Sequence, residues 1–332
     1  MSKKLLYPVM AFAAVMTILF TGGTTLAAMT LKYGVATAPN HYYTVGAEAF
    51  AEEVKKATNG EVIINVFAGG QLATGERELV EGIQFGTVDL CLVSTGAVVG
   101  FDPDFQLFSL PYLFADEDAA YRAVDETPMG EGFNKHMERQ GVSIVGWAMG
   151  GAWINTNSKR PVNKPEDLKG LKIRCMESPI IIETLKSFGA LGTPMSLGEA
   201  FTAMQQGTVD GQENALPSTY ANKYYEVQKY MAMTNHMILP SPIMMSTAKL
   251  KAMKPELREQ FMKGAAEGVK RQREVYAQQA AESIDGMKQR GIEVTYPDLE
   301  PFKQASSYVY DMYIPKLSAE AQEWVNMIRT AR

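Results

Sequence analysis

The sequence predicts an α/β protein built as two similar lobes. Three observations predict it. Strand-like and helix-like segments alternate from about Thr30 onward. The same order of elements repeats in the second half of the chain. One tetrapeptide also recurs at the same junction, after a helix and before a strand: Gly86-Thr87-Val88-Asp89 and Gly207-Thr208-Val209-Asp210.

In the first half, Leu31, Tyr33 and Val35 alternate as a strand. A helical pattern through Ala47, Phe50, Ala51 and Val54 stops near Asn59-Gly60. Val62 to Phe67 is a strand, and Glu76 to Phe85 a helix with its stop at Gly86. Val88 to Val93 is the next strand. In the second half, Leu171 to Cys175 is a strand, Ile180 to Phe188 a helix, and Thr193-Pro194-Met195 a short strand. Ser196 and Glu199 form a capping box for a helix that runs to Gln206 and stops at Gly207.

Small residues at Gly150-Gly151 permit a first crossing between lobes, and Pro240-Ser241-Pro242 marks a second. Two crossings make a shared hinge and a cleft, a common place for a small-molecule site. The expected division is 29–151 plus 240–279 for lobe I and 152–239 plus 280–332 for lobe II. Pro255 suits a first helical turn, and no proline follows from Glu256 to Gln289. An apolar stripe there runs from Leu257 through Phe261, Ala265, Val269, Tyr276 and Ile284 to Met287. A single helix of that length would span roughly 50 Å and bridge both lobes, with Gly264 and Gly268 as bend points. Two helices split near residue 270 are the alternative.

The chain has 332 residues, of which 46% are apolar and 21% charged, which suits a globular protein. Its 32 Lys+Arg against 37 Asp+Glu argue against a nucleic-acid partner. Three His and two Cys leave little material for a structural metal or a disulfide scaffold. Cys91 and Cys175 sit in strand-like runs and read as buried free thiols, with a disulfide formed in an oxidising compartment as the alternative. His41, His136 and His236 are scattered, and His136, in a charged helix, reads as a surface residue.

The first 28 residues have the order of a secretory signal: Lys3 and Lys4, an apolar run from Leu5 to Phe20, then small residues ending at Ala27-Ala28. The alternative, a membrane anchor, needs about 20 apolar residues. Export to a bacterial periplasm is therefore expected. No dinucleotide fingerprint, phosphate loop, nucleophile elbow, Cys-x-x-Cys or His-Glu-x-x-His occurs. No cofactor or metal is implied. A triad assembled in space is not excluded by this, but nothing in the sequence asks for one.

Lys169 to Arg174 (KGLKIR) and Gly207 to Asn214 (GTVDGQEN) resemble paired segments of the solute-binding proteins of tripartite ATP-independent periplasmic (TRAP) transporters. Leu110 to Phe114 (LPYLF), Phe67 to Leu72 (FAGGQL) and Tyr225 to Tyr230 (YEVQKY) resemble others, in the same order. The likeness covers about 30 to 325. It implies a two-lobe periplasmic binding protein fold with a hinge, an interlobe cleft and a long helix across both lobes.

On spacing alone, Arg174 shares a strand face with Lys172 and Met176 and reads as a solvent or ion-pair residue. The resemblance makes it the ligand's carboxylate clamp, for which a planar guanidinium is suited. It gives Asn214 a hydrogen bond to the same group. Glu213 is expected to orient Arg174 or hold a ligand hydroxyl, with a plain surface charge as the alternative. Some members carry a second Arg twenty residues before the first; here that position is Ile154. Trp153 beside it is expected to wall or stack on the ligand, or else to pack in the core. His41, Glu76, Ser94, Thr95 and Leu197 map to further cleft positions, and Tyr42 and Tyr43 offer hydroxyls near the first helix start.

The implied function is a non-enzymatic receptor for a small organic anion: a dicarboxylate, hydroxy acid or sugar acid. It would close on its ligand and deliver it to an integral-membrane permease, and a monomer is the family default. A small sulfonate as ligand, a sensing subunit for a receptor kinase, and an enzyme on a related scaffold are the alternatives.

Overall fold

A computed structural model of the chain describes residues 28–331; the expected signal, residues 1–28, lies almost wholly outside them. Its strands are β1 (Met29–Gly34), β2 (Val62–Phe67), β3 (Leu90–Leu92), β4 (Val142–Asn157), β5 (Lys172–Cys175), β6 (Leu191–Pro194), β7 (Gly211–Ala215), β8 (Tyr230–Ser246) and β9 (Glu293–Thr295). They order as β2-β1-β3-β8-β4-β7-β5-β6, with β9 beside β8. β1, β2 and β3 run parallel on one side, and β5, β6 and β7 run parallel on the other. Helices cover both groups, as α/β layering requires.

The two long antiparallel strands β4 and β8 join the lobes. The first half of β4 pairs with the second half of β8 beside β3, and the second half of β4 pairs with the first half of β8 on one side and with β7 on the other. Their ladder shifts register between Ile144 and Gly146, Met149 and Gly151, and Trp153 and Asn155. Such bulges bend a strand. Gly151 takes φ 114, a region that favours glycine. Met149 pairs with Pro240 and Gly151 with Leu239, so both expected crossings meet at one level of the ladder.

Side chains grip this segment. Tyr42 donates its hydroxyl to the Gly150 carbonyl, and the Tyr43 hydroxyl pairs with Ser241 Oγ. These hydroxyls go to the hinge rather than to the cleft expected from sequence. The Gln272 amide bonds both the N–H and the carbonyl of Met149, at 2.8 and 3.2 Å. Tyr276 accepts the Ala152 N–H at 3.0 Å.

Gln272 and Tyr276 belong to one continuous helix, Pro255–Gln289, of 35 residues. It reaches from the helix Tyr42–Ala57 in the first lobe to the helix Leu216–Ala221 in the second. Gly264 and Gly268 serve close approach to the first-lobe helix Tyr42–Ala57. A Cβ on Gly264 would lie 2.7 Å from Val54 Cα, and one on Gly268 2.8 Å from Phe50 Cα.

Two expectations are corrected. Residues 280–332 do not all join the second lobe. The last helix, Ala319–Thr330, packs on the first-lobe helix Pro128–Glu138. There the Trp324 ring sits 4.8 Å from Phe133, because the apolar face around Trp324 meets the aromatic cluster of Phe105, Phe108, Phe133 and Trp147. His136 is no free surface residue either. Its Nδ1 lies 2.9 Å from Asp102 and its Nε2 3.2 Å from Glu320 of that last helix. Cys91 and Cys175 are free and buried, as read from sequence.

Candidate functional site

The residues singled out in the sequence gather at the carboxyl ends of the two parallel strand groups, where open α/β sheets place ligands. His41 follows β1, Glu76 follows β2, and Ser94 with Thr95 follows β3. Across from them, Arg174 and Asn214 are the last residue but one of β5 and of β7, and Leu197 follows β6.

Arg174 is 3% exposed. Its Nε and Nη2 both donate to the Met195 carbonyl, at 3.1 and 2.9 Å. Among the described residues it forms no ion pair. Arg174 pairs with Gln212 across the β5–β7 ladder, so Asn214, two residues on, shares its face. Asn214 accepts the Ala215 N–H at 2.8 Å.

Strand alternation separates Glu213 from this pair. It is fully buried, and its Oε2 lies 3.3 Å from His236 Nε2. The chain continues from His236 Nδ1 to Thr234 Oγ1 at 2.9 Å, which accepts from Asn155 Nδ2 at 3.1 Å. Glu213 is therefore a member of a buried polar network and not a surface charge; it makes no ion pair with Arg174 among the described residues, and its Oε1 is buried without a hydrogen-bond partner among them. Burial and then Glu213 push the neighbouring Cys175 thiol up to about 12, with Arg174 opposing.

Trp153 is 5% exposed and pairs with Ala215 across the β4–β7 ladder, next to Asn214. Its Nε1 is buried with no hydrogen-bond partner among the described residues. Ile154 is enclosed by Leu216, Met231, Met287 and Ile292, so the place of a second guanidinium is an apolar core position. Leu197 is half-buried against Ala200, Met204 and Tyr224.

The facing wall is built by helix starts. His41 is the N-cap of the helix Tyr42–Ala57, and its Nδ1 accepts the Tyr43 amide at 3.1 Å. An amide can only donate, so Nε2 carries the ring proton and donates to Ser218 Oγ at 3.0 Å. Burial pulls His41 down to about 3. Glu76 opens the helix Glu76–Phe85 and accepts from the Ser94 amide at 3.1 Å and from its hydroxyl. Burial raises its pKa and the Ser94 bonds oppose the rise. Thr95 Oγ1 is buried without a partner among the described residues.

The two walls touch. His41 meets Ser218 from the second lobe, and a Cβ on Gly96 would lie 3.4 Å from Met176 Cε. Ser218 and the Met195 carbonyl were invisible in the sequence, because each is defined by a partner far along the chain or by a backbone atom. Two outer recesses, of 540 and 490 Å³, are lined by other residues, among them Arg273 and Trp147 in one and Tyr112 and Lys303 in the other. They lie apart from the Arg174 wall.

Residues 33–316 match a family described as bacterial extracellular solute-binding protein, family 7 (DctP). A solute-binding protein of Verminephrobacter eiseniae is 36% identical over 82% of this chain and 80% of its own. The 2,3-diketo-L-gulonate-binding periplasmic protein YiaO of Escherichia coli is 31% identical over 87% and 88%. Among solved structures, a TRAP periplasmic solute binding protein from Polaromonas bound to D-erythronate superposes with a TM-score of 0.83 at 33% identity, covering 90% of this chain and 98% of that one. One from Sulfitobacter with bound β-D-galacturonate gives 0.84 at 30% identity, covering 91% and 99%. The shared two-lobe fold and the match along nearly the whole chain make it a member of family 7, the solute-binding proteins of TRAP transporters.

Proposed function

We propose that this chain captures a small polyhydroxy monocarboxylate between its lobes and hands it to a membrane TRAP permease. The carrying observation is Arg174: a buried guanidinium bonded to one backbone carbonyl, with no carboxylate partner of its own among the described residues. Such a charge is costly unless a counter-ion completes it. The opposite wall favours hydroxyl groups. Glu76 is an acceptor, and Ser94 and Thr95 carry hydroxyls. A second carboxylate on the ligand would meet Glu76 and would find no second guanidinium at Ile154. Sugar acids bound to relatives agree with this preference.

The lobes are assigned as 29–151 plus 240–279 and 152–239 plus 280–318, with the last helix on the first. The protein acts as a monomeric periplasmic receptor with no chemical step. The test is thermal denaturation against sugar acids and C4-dicarboxylates. A ligand at 100 times its dissociation constant should add about 2.7 kcal/mol. Stabilisation by a dicarboxylate but by no sugar acid, or binding that survives Arg174→Ala, would refute the reading.

A further inference from the structure

Tyr224 begins a short turn, Tyr224–Glu226, in the second lobe. Lys223 before it holds a left-handed backbone, φ 57, which a non-glycine residue adopts at a cost. Tyr224 is 1% exposed and packs with Ala200, Met204 and Val209; Met195 and Leu197 pack against the same cluster. Met195 is the residue whose carbonyl holds Arg174. The ring therefore belongs to the same packed cluster as the segment that seats the guanidinium.

Its hydroxyl is buried and has no hydrogen-bond partner among the described residues. Packing does not require that hydroxyl, since phenylalanine would fill the same space without an unpaired polar atom. Burial pushes the phenol up to about 12, and Arg174 pulls it the other way, so the two groups sit within electrostatic reach.

The donor arithmetic leaves a place for it. A carboxylate offers about four lone-pair sites. A bidentate guanidinium takes two and an asparagine amide one. We infer that the Tyr224 hydroxyl is a third polar member of the anion site and donates to the carboxylate held by Arg174 and Asn214. This rests on Arg174 being the anion ligand.

The probes are sodium D-erythronate, D-glucuronate and D-galacturonate, measured by calorimetry and by melting of the free protein. Tyr224→Phe should melt at the same temperature as wild type or higher. It should bind the tightest of the three probes about tenfold more weakly. Arg174→Ala should show no binding. Unchanged affinity in Tyr224→Phe beside lost binding in Arg174→Ala would overturn this inference alone. A melting temperature several degrees lower in Tyr224→Phe would make the hydroxyl structural and also overturn it. Binding retained in Arg174→Ala, or no probe bound by wild type, would overturn the anion-site reading and this inference with it.

Discussion

Asp89 and Asp210 occupy the same point in the two lobes and make the same bonds. Asp89 Oδ2 accepts the Lys32 amide at 2.7 Å, and Asp210 Oδ2 accepts the Lys172 amide at 2.9 Å. Each aspartate's own amide donates back to the same lysine's carbonyl, at 3.0 and 2.7 Å. A lysine ammonium meets the other carboxylate oxygen in each case: Lys249 at 2.7 Å and Lys159 at 3.3 Å. The repeated tetrapeptide is thus one device used twice. The glycine ends a helix with positive φ, and the aspartate adds a side-chain rung to the start of the neighbouring strand.

The two rungs should differ in weight. Asp89 is 1% exposed, whereas the Asp210 side chain is 18% exposed. Asp89→Ala leaves the Lys32 strand amide without a partner in the interior and takes the carboxylate from the half-exposed Lys249 ammonium, and should cost about 2–3 kcal/mol; Asp210→Ala should cost about 1 kcal/mol. Urea unfolding of the two variants measures this. Equal losses would show that burial does not set the difference.

Much of this architecture was legible because it rests on local rules. Gly86 and Gly207 end their helices where the pattern stops, and Ser196 with Glu199 caps as the spacing predicts. The alternation that set Arg174 apart from Ile173 also sets Glu213 apart from Asn214. Applied there, it would have placed Glu213 on the strand face opposite Arg174. What stayed hidden depends on long-range packing. His41 finds Ser218 across 177 residues. The last helix returns to the first lobe because Trp324 fits against Phe133, which no periodicity encodes.

Gly150 should tolerate no side chain. A Cβ there would lie 2.4 Å from Ser241 Oγ and 2.8 Å from the Leu239 carbonyl, where the two crossing strands meet. Gly150→Ala should destabilise by about 1–3 kcal/mol through overpacking. Gly198→Ala is the control. It lies in the helix Leu197–Gln205 with nothing within 4 Å of its Cβ, so the change should be neutral or stabilising by about 0.5–1 kcal/mol. Melting temperatures of the two variants read the contrast.

His41 and His136 should give opposite pH signatures. His41 is depressed to about 3, so the folded state resists a proton that the unfolded chain takes near 6.5. Its contribution is complete above 6.5 and is lost as pH falls toward 3, at about 1.4 kcal/mol per pH unit. His136 runs the other way. Burial lowers it, but Asp102 and then Glu320 together raise it above its usual value. Its contribution is complete below 6.5 and is lost as pH rises through the raised value. Unfolding curves of His41→Gln against wild type should converge with acid, and those of His136→Gln should converge with base. Parallel curves at all pH values would show that neither ring titrates with folding.

The sharpest test of the anion site is Arg174→Lys rather than Arg174→Ala. The Met195 carbonyl occupies one edge of the guanidinium, through Nε and Nη2. A carboxylate bound as proposed would then be taken by the remaining N–H groups of the same planar group. A lysine ammonium is a point charge with no second edge and cannot satisfy the carbonyl and a bidentate anion in fixed geometry. Arg174→Ala should abolish detectable binding, and Arg174→Lys should bind about 10–100-fold more weakly than wild type by calorimetry. Wild-type affinity in the lysine variant would mean that a single positive charge suffices and that the fork held by Met195 has no part in recognition.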